Sequence, residues 1–432
     1  MIYVKNTAKF IRVSLKNLLK KEGLNISMKT LFIVLDGAAD AGNNTPYERA
    51  YKPNLDFLAK NGRLGLVQTV RKGIAPESDF AVMAILGYDP YKYFTGRGPL
   101  EAYGAGVKLG KQFLALRTNF ATVELDKIMD RRVGRSLTTK EAKELEKAIS
   151  KEVKLPCKFL FKSTTEHRGV LVLYGKFSDK VSNVDPAYEK DGSFGIAVAL
   201  SNNFIQRCNP LSKKAEKTAE IINSFVEQSR QVLDKHAVNK ARDSQGLPKA
   251  NAILPRDAGN KLPKLPEKNK WAAIVGMPLE IGIAELAGMK ILKIKYPLIK
   301  TSDAYKHIYE CLDAEIKDSI KYLKANWNKY DCFYLHFKET DIPGHDGKPE
   351  EKARMIEILD KKFFSFAKTL KAKIIVTSDH ATPCELKAHS DGLVPLLVYD
   401  NKKKDGLSTF SERECENGSI GTLLGKDILK RV

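Results

Sequence analysis

Three apolar runs in this chain each lead into an acidic residue, and that pattern constrains the fold more than any other feature. LFIVL (31–35) runs into Asp36, FYLHF (333–337) is followed by Asp341, and the strand-like residues Ile374–Val376 lead to Asp379 and His380. Unbroken apolar runs suit strands buried on both faces, as in a parallel sheet covered by helices. A carboxylate just past such a strand sits at its carboxyl end, where open α/β sheets place their ligands. The expected class is α/β.

The histidines sharpen the reading. The chain has seven, and His345, His380 and His389 each lie beside or near an aspartate in DIPGHDG, TSDH and KAHSDG. Carboxylate oxygens, neutral imidazoles and a serine oxygen, that of Ser78 in PESDF, form a donor set for divalent ions. Taken singly, each piece has an ordinary explanation. An aspartate after a strand is commonly a cap or turn residue, and Ser78 ahead of FAVMAIL reads as a helix N-cap. An N-cap serine is also where a phosphoserine would be held well, at the positive end of a helix dipole. The joint occurrence favours a metal site made of Asp36, Ser78, Asp341, His345, Asp379, His380 and His389. His336 alternates with Phe333, Leu335 and Phe337 and reads as a strand residue against the core; His167, His236 and His307 carry no metal signal.

The ordered set resembles that of the alkaline phosphatase superfamily of two-metal phosphoryl-transfer enzymes. The surrounding words LDGAAD, TPYERAYKPNLDFLAKNGRLG, TGRGPLEAYGAGV, ETDIPGHDG and SDHATPCELKAHSDGLVP are similar to the archaeal type of 2,3-bisphosphoglycerate-independent phosphoglycerate mutase, over residues 29–135 and 250–398. The resemblance implies an alkaline-phosphatase-like metal domain with a second α/β domain inserted in it. It also implies an isomerase of glycolysis and gluconeogenesis that needs no 2,3-bisphosphoglycerate. One ion would take Asp341, His345 and His389, the other Asp36, Asp379, His380 and Ser78. Ser78 would be the catalytic nucleophile, carrying phosphate as phosphoserine between 3-phosphoglycerate and 2-phosphoglycerate. Mn²⁺ suits the carboxylate and imidazole mixture, with Zn²⁺, Co²⁺ or, less well, Mg²⁺ as alternatives. A related metal-dependent phosphomonoesterase or phosphopentomutase would share every one of these ligands.

Asp36 and Ser78 lie early and the other ligands late, so the long middle of the chain must leave and return. The expected division is an N-terminal extension at 1–27, a first metal-domain segment at 28–95, an inserted substrate-binding domain at 96–289, and a second metal-domain segment at 290–432. The glycine-rich TGRGPLEAYGAGV reads as a hinge-like crossover. KLPKLPEKNK (261–270) reads as a surface loop before the strand WAAIV and not as a domain boundary. The extension is basic, with Glu22 its only acid, and reads as peripheral to catalysis.

The insert should hold an anionic substrate, and arginine binds carboxylate and phosphate with a rigid fork. The candidates are Arg117, Arg131, Arg132, Arg135, Arg168 and Arg256, with Lys306 reaching from beyond the insert. Asp130 and Asp185 are possible acid/base or hydroxyl-binding groups. One departure stands out: the family usually has Arg-Gly where this chain has Arg256-Asp257, and a carboxylate there would repel phosphate.

Composition adds limits. A hydrophobic share of 43% and a charged share of 29% are those of a globular chain. The formal charge of +21 comes from dispersed lysines without aromatic-basic words, which argues against a nucleic-acid partner. No apolar stretch is long enough for a membrane span. Six scattered cysteines without a Cys-x-x-Cys pair read as free thiols, and the expected location is the cytoplasm.

Overall fold

The computed structural model describes residues 28–191, 194–197, 203–299 and 303–432. The N-terminal extension, 1–27, lies outside the described residues. The main sheet starts with β1 (Lys29–Leu35) and β2 (Arg63–Gln68). The chain then builds β3 (Phe113–Glu124), β4 (Lys127–Asp130), β5 (Phe159–Ser163) and β6 (Arg168–Tyr174), a hairpin of β7 (Tyr188–Asp191) and β8 (Phe194–Ala197), and β9 (Ala252–Gly259). It returns with β10 (Trp271–Val275), β11 (Lys290–Lys293), β12 (Cys332–Phe337), β13 (Ala372–Thr377), β14 (Val394–Tyr399) and β15 (Thr422–Leu424).

The main sheet has eight strands in the order β11-β10-β12-β1-β13-β14-β2-β15. Only β14 runs antiparallel to its neighbours. The apolar run of β1 shows why it lies at the centre. Leu31, Ile33 and Leu35 pack on one face with Leu55 and Leu58 of the Pro53–Lys60 helix and Leu312 and Ile316 of the Ala304–Asn326 helix. Phe32 and Val34 pack on the other with Phe80 and Met83 of the Ser78–Ile85 helix and Leu279 and Ile283 of the Pro278–Leu286 helix. Apolar residues at every position are needed when both faces are covered. The α/β class expected from the sequence is the observed one.

The second sheet takes β4, β3, β6 and β5 in that order, with β9 also paired to β3. Its core side packs against the amphipathic helices Thr139–Glu152 and Glu216–Lys235 through Leu145, Ile149, Ile222 and Phe225. The expected insert of 96–289 overruns this unit. Strands β10 and β11 and the Pro278–Leu286 helix belong to the main sheet, so the chain has returned by Trp271. WAAIV is one more apolar run of the parallel-strand kind, and the lysine- and proline-rich loop before it, expected to be no domain boundary, is the crossing itself.

The glycine-rich outgoing segment is not a slack hinge. It forms the helix Arg97–Gly104, which lies backbone to backbone on Pro278–Leu286. A Cβ on Gly104 would stand 1.9 Å from the Pro278 carbonyl oxygen, and one on Gly282 would stand 2.2 Å from that of Leu100. Backbone cannot yield as a side-chain tip can. Gly104→Ala should therefore cost about 1–3 kcal/mol of stability, read as a lower denaturant midpoint. No helix among the described residues is long and apolar enough to cross a membrane, and all six cysteines are free.

Candidate active site

Parallel pairing brings the strand ends together. Leu35 of β1 is in register with Phe337 of β12, and Val34 with Thr377 of β13. Asp36 and Asp379 therefore leave adjacent strands at the same edge, and both are fully buried. Asp341 begins the short helix Asp341–Asp346, whose turn places His345 four residues on, with Nε2 3.3 Å from Asp341 Oδ2. His389 Nε2 lies 3.8 Å from Asp341 Oδ1. His380 Nε2 stands 3.2 Å from Asp36 Oδ1 and 3.3 Å from Ser78 Oγ.

The outer nitrogens of three imidazoles fix what the inner ones are. His345 Nδ1 donates to the Lys387 carbonyl at 3.2 Å, and His389 Nδ1 to that of Pro76 at 3.0 Å. The Thr382 hydroxyl donates to Asp341 Oδ1 at 2.7 Å, so it accepts from His380 Nδ1 at 3.1 Å. A carbonyl can only accept, so each neutral ring carries its proton on Nδ1 and turns the Nε2 lone pair inward. Those lone pairs face carboxylate oxygens, an arrangement that repels unless positive charge lies between. Burial, with the neighbouring His380, pushes His389 down to about 4, so it is neutral at ordinary pH. Asp36 Oδ1 and Asp379 Oδ2 are buried and accept no hydrogen bond. Among the described residues three groups could hold an ion: Asp36, Asp379 and His380; Asp341, His380 and His389; and Asp36, Glu280 and His336; His345 is in none of them. The residues present fit divalent cations.

Ser78 is the first residue of the Ser78–Ile85 helix rather than its cap; that position is Glu77, which makes no capping bond through its side chain. The Ser78 hydroxyl faces His380 and lines a cleft of about 320 Å³ between the two sheets. The Phe80 N–H of the first turn is taken by Asp79 Oδ1 at 2.8 Å, and the positive end of the helix dipole makes this start a favourable place for a phosphate.

The opposite wall comes from the second sheet. It includes Arg117, Arg131, Arg132, Arg135, Arg168 and Arg256. Most already have acidic partners. Arg131 and Arg256 meet Asp185 at 2.8 and 3.3 Å, Arg117 lies 3.7 Å from Glu101 and 3.6 Å from Asp257, and Arg168 lies 3.6 Å from Glu166. Arg135 pairs with Asp346. Arg132 alone of these six has no carboxylate within ion-pair distance among the described residues. Burial, with Arg135 and Arg168, holds its guanidinium below its ordinary value against the favourable pull of Tyr188 and Asp341. Asp185 is fully buried as the anchor of two arginines, and Asp130 ends β4 and accepts from the Arg132 backbone N–H at 2.6 Å. Lys306 is exposed at the start of the Ala304–Asn326 helix and is absent from the cleft wall.

Several functional residues give little sign of themselves in the sequence. His336 is a buried strand residue, as expected, but its Nε2 also donates to Asp36 Oδ2 at 3.1 Å while its Nδ1 meets the Tyr334 hydroxyl at 2.7 Å. Lys338 donates to the same Asp36 oxygen and, at 3.2 Å, to Glu280 Oε1. Together they occupy Oδ2 and leave Oδ1 for the site. Arg97 bridges Glu77 and Glu101 at 3.4 and 2.6 Å. A histidine among phenylalanines and a lysine past a strand end are faint signals; only the neighbouring strand makes them meaningful. Asp257 explains its own oddity. It is the extra residue of a bulge between β3 and β9, at φ +56°, a conformation that favours glycine.

Similarity to known proteins agrees with this geometry. A sequence profile described as 2,3-bisphosphoglycerate-independent phosphoglycerate mutase matches residues 59–239. The enzyme of that name from Aeropyrum pernix is 41% identical over 422 residues, covering 92% of this chain and 97% of its own. The chain belongs to that family. The relative of the same name from Thermococcus kodakarensis is 39% identical over 417 residues, with 93% and 95% covered. A solved protein from Pyrococcus horikoshii shares the fold at a TM-score of 0.72 and 30% identity, over 93% of this chain and 96% of that one. The cofactor-independent phosphoglycerate mutase of Thermoplasma acidophilum superposes at 0.53 with 30% identity, over 94% and 98%. Members of the mutase family thus align with 92% to 94% of this chain.

Proposed function

We propose that this chain interconverts 3-phosphoglycerate and 2-phosphoglycerate without 2,3-bisphosphoglycerate, passing the phosphate through Ser78 beside two divalent ions. The observation that carries the reading is the ring of inward-facing histidine lone pairs and unpartnered carboxylate oxygens beside the Ser78 hydroxyl. Asp341, His345 and His389 would hold one ion, and Asp36, Asp379, His380 and Ser78 the other, with Mn²⁺ the best match to the donors. When bound, such ions neutralise phosphoryl oxygens and lower the pKa of a serine hydroxyl.

Ser78 Oγ then attacks phosphorus and the bond to the 3-oxygen of glycerate breaks, leaving phosphoserine at a helix start. Arg132 lines the cleft with no carboxylate in ion-pair distance among the described residues and is the group to hold the glycerate or phosphate anion. Arg117 and Arg256, each kept in place by carboxylates, line the cavity in which glycerate turns. Its 2-hydroxyl attacks phosphoserine, the bond to Oγ breaks, and 2-phosphoglycerate forms. Water must stay out during the turn, since it would take the phosphate instead.

The test is product analysis. Metal-loaded protein given 3-phosphoglycerate alone should form 2-phosphoglycerate with little free phosphate, and elemental analysis should find about two ions per chain. Asp379→Asn and His389→Ala should each lower the count by about one. Stoichiometric phosphate release without isomer would move the chain to the phosphomonoesterase reading, and one ion or none at saturating Mn²⁺ would reject the two-ion site.

A further inference from the structure

Arg135 lines the cleft, yet its guanidinium is already engaged. Its two terminal nitrogens reach Asp346 Oδ2 at 2.8 Å and Oδ1 at 3.0 Å, a bidentate pair. Arg135 stands on the second sheet's side of the cleft. Asp346 ends the helix that also carries the metal donors Asp341 and His345. Tyr305 of the main-sheet helix Ala304–Asn326 donates to Asp346 Oδ2 at 2.9 Å and steadies it. The pair therefore spans the two walls that enclose the substrate.

The backbone beneath Arg135 is unusual. Val133, Gly134 and Arg135 have φ of +53°, +60° and +54°, three left-handed residues in succession. Valine is β-branched and resists that region, so the turn persists only where its surroundings impose it. They do so on both flanks. Asp130 accepts from the Arg132 N–H at 2.6 Å, and the buried Arg242 donates to the Ser136 hydroxyl at 2.6 Å and its carbonyl at 3.3 Å. One rigid turn thus carries both Arg132, which lines the cleft, and Arg135, which meets Asp346.

We infer that the Arg135–Asp346 pair is a closure latch: it holds the second sheet against the metal-bearing helix and thereby sets Arg132 over the phosphate. Arg135 is a positioning residue and not a substrate ligand. The inference rests on the mutase reading above. A latch that loosens lets water reach phosphoserine before the glycerate has turned, so the partition between isomer and phosphate should report it.

Lysine keeps the charge but cannot form the two-pronged contact. Arg135→Lys and Asp346→Asn should each raise phosphate released per 2-phosphoglycerate formed by about tenfold. The double variant should be no worse than either single one, because both changes break the same pair. Small-angle scattering should show a larger radius of gyration for all three than for the wild type. Thermal melts establish that each variant is folded, and the conservative lysine variant serves if asparagine is not tolerated. An unchanged partition in the folded single variants, or additive effects in the double, would overturn the latch. A wild type that forms no 2-phosphoglycerate refutes the mutase reading instead. The latch is then judged by scattering, where radii equal to the wild type's refute it.

Discussion

Ser78→Ala should abolish isomerisation, with a loss of roughly 10⁴-fold or more, because no phosphoserine can form. The fold should survive. Ser78 is the first helical residue, its hydroxyl makes no capping bond, and alanine suits a helix. Six of the seven metal donors also remain, so much of the metal should still bind. Acid quenching of the wild type during turnover, followed by peptide mass spectrometry, should find phosphate on Ser78; the variant should carry none. Isomerisation near the wild-type rate in the alanine variant would assign the attack to another group.

Arg132→Ala should have the next largest effect, lowering kcat/KM by about 2–4 kcal/mol, or some 30- to 1000-fold. The reasoning is electrostatic. A half-buried guanidinium without a carboxylate partner is unfavourable in the resting protein and gains most when an anion arrives. Arg131 and Arg256 gain less, since Asp185 already compensates both. Lys306→Ala provides the comparison: its side chain is exposed and off the cleft wall, so kcat/KM should change by less than about twofold. Equal losses at Arg132 and Lys306 would refute the assignment.

Much of the candidate site is legible in the amino-acid sequence. An apolar run needing cover on both faces has few places to go but the middle of a parallel sheet, and the residue after it must emerge at the carboxyl edge. Asp36, Asp341 and Asp379 follow from that, and the histidines near them follow from short separations along the chain. The insert boundary falls too late when the family likeness is followed past WAAIV, whose apolar pattern already marks a main-sheet strand. The glycines of the Arg97–Gly104 helix mislead in another way: they permit close helix contact rather than looseness.

What the arginines do is not legible in this way. DRRVGR offers three, and nothing local says that Arg131 meets Asp185, that Arg135 meets Asp346, or that Arg132 is left without a carboxylate. Nor does FYLHF say that His336 will face Asp36, a residue 300 positions away. The sequence by itself determined the chemistry at the strand ends, because burial on both faces of a sheet leaves a strand only one exit for a polar side chain. Tertiary structure alone decided which charges are paired. Coulomb energy depends on distance and burial, and for these residues both are set by segments far apart in the chain and brought together only by folding.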